Sequence, residues 1–148
     1  MRTLPRVSFL IAYALMVVIA IVVVVGARGE LPRSVLRLLA GAAGLGPVAA
    51  LFHNVVSAVT EAEEPVFFIL AVIVSPLAFA IGAFVGANTL LRNGIRTDLA
   101  SALVVAGVAM LLLPLSFRSP EWVVIALGLA AALALLDFVQ ARSRLAPL

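Results

Sequence analysis

Cysteine is absent from this sequence of 148 residues, and its absence excludes several kinds of site at once. A chain without thiols forms no disulfide, no thiolate zinc site, no iron–sulfur cluster and no cysteine nucleophile. Lysine is also absent, because all ten basic residues are arginine. A Schiff-base lysine and the lysine of a P-loop are therefore excluded too. The dominance of Ala, Val, Gly, Leu and Arg indicates the coding bias of a GC-rich prokaryotic genome.

Charge of either sign is scarce. Charged residues make up 11% and hydrophobic residues 65% of the chain, whereas soluble domains contain about 25% and about 45–50%. The mean hydropathy is +1.28. The net charge of +3 includes no dense basic patch, so no nucleic-acid partner is expected. The composition instead predicts an integral membrane protein whose first partner is the lipid bilayer.

Five long apolar stretches separate the charged residues, and each approaches the roughly 20 residues that a membrane-spanning helix requires. They predict an all-α, polytopic membrane bundle of about five transmembrane helices, in a single membrane domain without a soluble domain. The second stretch is interrupted by glycines and Pro47, so four spans remain if this stretch is re-entrant. The candidate spans are residues 7–26, 38–59, 66–91, 99–117 and 122–141.

Prolines and turn residues predict where these helices begin and bend. Pro65 suits the first turn of the third helix, because the N–H that proline lacks is not needed there. Pro76 should distort the same helix further along. Thr97 or Asp98 is expected to cap the N-terminus of the fourth helix.

The positions of the arginines predict an orientation in the cell membrane, since cytoplasmic loops carry more positive charge. With five spans and the N-terminus outside, seven arginines lie inside and three, Arg2, Arg6 and Arg118, lie outside. With four spans and the N-terminus inside, six arginines lie inside and four lie outside. Both arrangements place the C-terminus and the loop at residues 92–96 in the cytoplasm. Both place the acidic residues 61–64 outside, with Phe67, Phe68, Phe117 and Trp122 near that face.

His53 is the only histidine, and an ionisable side chain within a span is a functional hypothesis by default. The helical period places it on one face with Gly46, Ala50, Ser57 and Glu61. One interpretation is a proton or ion path that runs from Glu61 through Ser57 to His53. The alternative is a packed histidine, bonded to a neighbouring helix on a face kept small for close helix contact. The residues of the candidate polar path are His53, Ser57, Glu61 and the adjacent Asn54.

Asp137 and Asn88 are secondary candidates. Asp137 lies about one turn before the inner end of the last helix. It is either an interfacial acid paired with Gln140 or Arg142, or an inner gate or an intersubunit salt bridge. Asn88 is one of the few polar residues expected to be buried in the bundle.

Gly82 and Gly86 form a small-xxx-small pair on the third helix, in line with Ser75 and Phe79. Such pairs let another backbone approach closely. They predict a tight helix-packing contact, either within the chain or between subunits, and Gly46 is a further helix-packing candidate.

Three classes of function remain open. The short loops and sparse polar interior favour a non-catalytic, helix-packing subunit of a homo-oligomer or of a larger membrane-protein complex. The alternative is a small channel or secondary transporter for an ion, proton or small solute, with its path along residues 46–61 and a helix break at Pro47. A membrane enzyme or haem carrier has the least support.

An enzyme lacks support because the sequence has no paired carboxylates and no metal-ligand cluster. A haem with two protein ligands would need Met16, Met110 or a second copy's histidine beside His53. We therefore expect no enzymatic activity, no metal and no cofactor.

Overall fold

The computed structural model describes residues 4–62, 64–116 and 119–145. The described part of the chain is helical throughout, with no strand, and contains five helices long and apolar enough to cross a membrane. Glu63, Phe117, Arg118 and Arg2, which the sequence assigned to the outer face, lie outside the described residues. The helices are α1 (Leu4–Gly26), α2 (Arg33–Thr60), α3 (Pro65–Arg92), α4 (Thr97–Leu112) and α5 (Glu121–Leu145).

The second apolar stretch forms one continuous helix, so the described chain has the five long helices that the sequence favoured over four. This helix begins at Arg33, five residues before the apolar stretch, and Pro47 lies inside it. The first turns carry exposed Arg33 and Arg37 while Val35 and Leu36 are buried. A search for continuous apolar residues does not find these turns, because they are amphipathic.

The five helices form a ring. Each helix packs against its neighbours in sequence, and α1 closes the ring against α5. Large side chains such as Met16, Leu39, Phe79 and Leu103 are fully buried between them, with many alanines filling the narrower contacts. Large apolar side chains also cover the outside, for example Ile21 and Ile125. A surface of this kind suits hydrocarbon rather than water.

Successive helices run in opposite directions, so the loops lie at the two ends of the bundle. The arginine end contains residues 27–32, the turn at residues 93–96 and the end of α5, which are joined by hydrogen bonds described below. The acidic end contains the start of α1, Glu61 and Glu64, and the described residues just before α5. Phe67, Phe68 and Trp122 are partly exposed at the acidic end.

One of the local predictions, the position of Pro65, is confirmed, one is wrong, and the kink expected at Pro76 stays a prediction. Pro65 occupies the first turn of α3, and a π-helical turn, Leu70–Val74, precedes Pro76 in that helix. The predicted cap of α4 is wrong, because Arg96 holds the N-cap position in a left-handed conformation and no side chain caps the helix. Thr97 is already the first helical residue.

Gly82 and Gly86, the small-xxx-small pair on α3, pack against other helices of the same chain. A β-carbon added at Gly82 would lie 3.1 Å from Leu39 Cδ2, and one added at Gly86 would lie 3.3 Å from Leu103 Cδ1. Both glycines therefore allow neighbouring helices of the same chain to come close. Asn88, expected to be buried, is exposed. It follows Gly86 by two residues, which turns it onto the outer face of the helix.

Candidate binding cavity

A cavity of about 1000 Å³ opens at the acidic end between α1, α2 and the first turns of α3. Small side chains leave room for this space, since Ala50 and Ala58 on α2 and Ala71 on α3 are among the residues that line it. The residues that line it are Phe9, Leu10, Tyr13, Ala50, His53, Asn54, Ser57, Ala58, Glu64, Pro65, Phe68, Ala71 and Val72. Three members of the predicted polar path, His53, Asn54 and Ser57, are therefore brought together in its wall.

His53 is held by the start of α3. Its Nδ1 lies 2.8 Å from the carbonyl oxygen of Glu64, and its ring lies 5.5 Å from that of Phe68. Because a carbonyl oxygen only accepts hydrogen bonds, Nδ1 carries the proton. When the ring is neutral, Nε2 is then an acceptor. Nearby, the rings of Phe52 and Phe67 stack 5.4 Å apart and hold the same turn of α3 against α2.

Ser57 lies one helical turn beyond His53, and its hydroxyl is buried without a hydrogen-bond partner among the described residues. Hydroxyls on membrane-type helices commonly bond back to the carbonyl four residues earlier. Thr89 and Ser101 do this here, with Val85 and Thr97 as their acceptors. Ser57 differs from them, so the cavity wall contains a polar atom whose hydrogen-bonding capacity is unused.

Glu64, rather than Glu61, supplies the carboxylate at the cavity. Glu61 ends α2 in a left-handed conformation with φ 53° and is exposed. Glu64 lines the cavity and caps α3, accepting bonds from the N–H groups of Val66 at 3.0 Å and Phe67 at 2.8 Å. The sequence signal for this role is a glutamate directly before a proline in the first helical turn, which is an N-cap arrangement.

The cavity has a floor, formed by Tyr13, Gly46 and Ser75. The Tyr13 hydroxyl donates to the Ala71 carbonyl at 2.7 Å, and Ser75 Oγ donates to the Ala42 carbonyl at 2.7 Å. A β-carbon added at Gly46 would lie 2.6 Å from Ser75 Oγ and 2.8 Å from Tyr13 Cε1. Gly46 therefore lies at a close contact between α1, α2 and α3, next to Tyr13 of the cavity lining.

The floor lies beside an irregular turn of α3. In the π-helical turn of α3, the Ser75 N–H bonds to the Leu70 carbonyl, five residues back. The next bond in this register would run from residue 76 to the Ala71 carbonyl, but Pro76 has no N–H. The Tyr13 hydroxyl supplies the missing donor. The sequence pattern did not identify Tyr13, although a buried tyrosine hydroxyl generally requires a partner.

At the opposite end, Arg96 joins three separate parts of the chain. Its Nε donates to Asp137 Oδ2 at 2.8 Å, and its Nη2 also donates to that oxygen. Its Nη1 donates to the Gly26 carbonyl and, at 3.3 Å, to Glu30 Oε1. We call Gly26, Glu30, Arg96 and Asp137 the arginine clasp. The clasp ties the end of α1, the first loop and α5 to the start of α4.

The clasp corrects the pairing expected for Asp137. Its partner among the described residues is Arg96, rather than Gln140 or Arg142. Arg142 lies instead over the ring of Phe138, with its Cζ 4.9 Å from the ring centroid. Since Arg96 and Asp137 come from distant parts of the sequence, spacing along one helix does not find this pair.

Electrostatics keep Arg96 charged. Burial lowers the pKa of Arg96, but the hydrogen bond and charge of Asp137, together with Glu30, outweigh burial and raise the pKa above its ordinary value. The side chains of Arg96 and Asp137 are only 11% and 10% exposed. The left-handed backbone of Arg96, with φ 50°, costs about 1 kcal/mol. The bonds of the clasp offset that cost.

The described residues contain no group of three or more His, Asp or Glu side chains that could hold a metal ion. Met16 and Met110, considered as haem ligands, are fully buried, and neither lines the cavity that contains His53. Comparisons with protein-family models, with curated proteins and with solved structures found no match to this chain. Its function therefore has to be inferred from the cavity and the clasp.

Proposed function

We propose that this chain is a small multi-pass membrane protein that binds a small solute in the cavity, as a channel or secondary transporter open to one side would. The observation that carries the proposal is the cavity, which places His53, Asn54 and Ser57 in an open space at the acidic end. Ligand sites are typically concave and largely apolar, with a few polar groups that fix orientation. The volume and the mixed lining of this cavity fit that description.

The membrane setting supports the proposal. Five apolar helices with large apolar side chains on their outer faces suit a bilayer. The arginine distribution favours an orientation with the arginine end in the cytoplasm. The acidic end and the mouth of the cavity then face outwards.

The difference between the two ends supports transport over simple binding. The cavity is open at the acidic end, whereas the clasp and the floor close the path towards the arginine end. Transporters commonly place their sites at interrupted helices near the middle of the bilayer. The π-helical turn in α3 is a local irregularity of this kind, whereas the break expected at Pro47 is absent, because α2 is continuous through it. Transport would require the floor and the clasp to open together.

Cysteine accessibility tests the proposal, because the chain contains no thiol of its own. The variant Ala50→Cys places a unique thiol in the cavity wall, and Leu51→Cys places one on the outer surface of α2, where Leu51 is 62% exposed. A thiol in hydrocarbon stays protonated and unreactive. We therefore expect a membrane-impermeant methanethiosulfonate to label Ala50→Cys in proteoliposomes at least about tenfold faster than it labels Leu51→Cys.

Sidedness provides the second part of this test. Reagent applied to the acidic side should label Ala50→Cys, whereas Gln140→Cys, near the arginine end of α5, should react only from the other side. Equal labelling of Ala50→Cys and Leu51→Cys would contradict the membrane setting. An Ala50→Cys thiol that stays unlabelled from the acidic side would contradict the open cavity.

A second function, a non-catalytic helix-packing subunit, is favoured by a different observation. Gly41 and Gly44 lie on the exposed face of α2, and a β-carbon added at either would contact nothing. Small residues on an outer face let another helix approach closely in a bilayer. The double variant Gly41→Leu/Gly44→Leu should then convert an oligomer to monomers in native mass spectrometry from detergent. An unchanged mass would remove this support.

A further inference from the structure

The hydrogen-bonding groups of the cavity include two acceptors, while the Asn54 amide and the Ser57 hydroxyl both donate and accept. When the His53 ring is neutral, Nε2 accepts, because Nδ1 is engaged with the Glu64 carbonyl. The Glu64 carboxylate also accepts, and each of its oxygens keeps lone-pair capacity beyond the one N–H bond it receives. A ligand that satisfies these two acceptors must therefore bring donors.

The charge of the residues that line the cavity also favours a ligand that brings donors. Glu64 is the only charged side chain among the described residues that line the cavity, and no arginine is among them. An anionic ligand would meet the like charge of Glu64, and of these lining groups the neutral Asn54 amide and Ser57 hydroxyl could donate to its oxygens.

The rest of the lining suits an apolar body. Phe9 and Phe68 contribute aromatic rings, and Ala50 and Ala58 leave room beside them. The face of an aromatic ring attracts a cation within about 6 Å. The cavity volume of about 1000 Å³ admits a molecule of many heavy atoms together with water.

We propose that the cavity binds a small organic amine in its ammonium form, with the N–H groups donating to His53 Nε2 and the Glu64 carboxylate and the apolar body lying against the phenylalanine rings. This proposal rests on the proposed function, since it names the class of solute for the same cavity. A lipid chain is a poorer occupant, because it would leave both acceptors and the Ser57 hydroxyl unsatisfied.

Three probes of similar shape test whether the cavity prefers a cation, a neutral molecule or an anion. They are benzylamine as its ammonium, benzyl alcohol and benzoate. Each is added to purified Ala50→Cys protein at neutral pH, and labelling by a neutral maleimide is timed. We expect benzylammonium to slow labelling at a concentration about tenfold lower than benzyl alcohol requires, as one charged hydrogen bond and a cation–π contact allow. Benzoate should give no protection.

Two variants in the Ala50→Cys background assign the contacts. Glu64→Gln keeps a side-chain oxygen for the cap of α3 but removes the charge, so the preference for benzylammonium over benzyl alcohol should fall several-fold. His53→Gln keeps an acceptor near the position of Nε2 and should retain more protection than His53→Leu. Circular dichroism and unchanged labelling without a probe verify that each variant remains folded with an open cavity.

The outcomes separate this proposal from the proposed function. Protection by benzoate equal to or stronger than that by benzylammonium would overturn the amine, while an accessible Ala50→Cys thiol would leave the binding cavity intact. No protection by any of the three probes up to about 10 mM would also overturn it, because the space would then hold water or lipid only. An Ala50→Cys thiol that does not react without a probe would instead defeat the proposed function.

Discussion

The two ends of the bundle differ in how their polar groups are satisfied. At the arginine end, Arg96 donates to Asp137, Glu30 and the Gly26 carbonyl, and these bonds join three parts of the chain. At the acidic end, the Ser57 hydroxyl is buried without a partner among the described residues, and His53 is held through one ring nitrogen. The first arrangement closes the bundle, and the second leaves it open.

This difference identifies the end at which a ligand lowers the free energy. A network of charged hydrogen bonds stiffens the elements that it joins. Each end also contains a buried polar atom without a partner among the described residues, Glu30 Oε2 in the clasp and Ser57 Oγ in the cavity wall. Such an atom costs free energy, and a bound molecule or water removes that cost. Since Ser57 lines the cavity of about 1000 Å³ and Glu30 does not, a ligand in this cavity can reach the atom at the acidic end.

Removing the charge of the clasp should have the largest effect on stability. Arg96→Met leaves the Asp137 carboxylate nearly buried without its partner, and breaking a buried pair from one side costs about 3–5 kcal/mol. We expect the free energy of unfolding in mild detergent to fall by about 3 kcal/mol, since the pair retains slight exposure. Chemical denaturation followed by circular dichroism measures the change.

Two further variants serve as controls for the clasp. Arg92→Met removes an exposed arginine at the end of α3 and should change stability by less than about 0.5 kcal/mol. The double variant Arg96→Met/Asp137→Leu should be more stable than Arg96→Met alone, because the nearly buried Asp137 carboxylate is gone and only Glu30, whose side chain is 33% exposed, has lost its partner. If the double variant were less stable than the single variant, the unpaired carboxylate would not be the cause of the loss.

Gly46→Ala should have an intermediate effect, because the new methyl would enter the floor of the cavity. It would lie 2.6 Å from Ser75 Oγ and 2.8 Å from Tyr13 Cε1, both of which are held by hydrogen bonds. Overpacking of this kind costs about 1–3 kcal/mol in the free energy of unfolding. Gly44→Ala is the matched control, since its methyl would contact nothing and alanine favours helix by about 1 kcal/mol. Equal stabilities of the two variants would mean that the floor is not tightly packed.

The helices could be predicted from the sequence, whereas the sites could be predicted only in part. A long apolar stretch is a local property, so five helices follow from it directly. Helical spacing also placed His53 and Ser57 on one face. The clasp could not be found in this way, because Arg96 and Asp137 are 41 residues apart and meet only through the packing of α4 against α5.

The role of Tyr13 shows a second limit of sequence patterns. Pro76 leaves the Ala71 carbonyl without a donor only because the preceding turn is π-helical, and a proline in the sequence does not specify the register of that turn. The choice of Glu64 over Glu61 likewise depends on where α2 ends and α3 begins. Helix ends are the least certain part of any prediction from sequence.

Two serines provide the smallest expected effects and the sharpest comparison within the acidic half. Ser75→Ala removes a buried hydroxyl that donates to the Ala42 carbonyl at 2.7 Å, and should lower the free energy of unfolding by about 1 kcal/mol. Ser57→Ala removes a buried hydroxyl without a partner among the described residues, and should leave stability within about 0.5 kcal/mol or raise it slightly. Denaturation in detergent without any added amine measures both values. A loss for Ser57→Ala as large as that for Ser75→Ala would mean that the Ser57 hydroxyl already has a partner, such as a fixed water. In that case the free energy available to a ligand at the cavity wall would be smaller, and the contrast between the open and the closed end would rest on His53 and Glu64 alone.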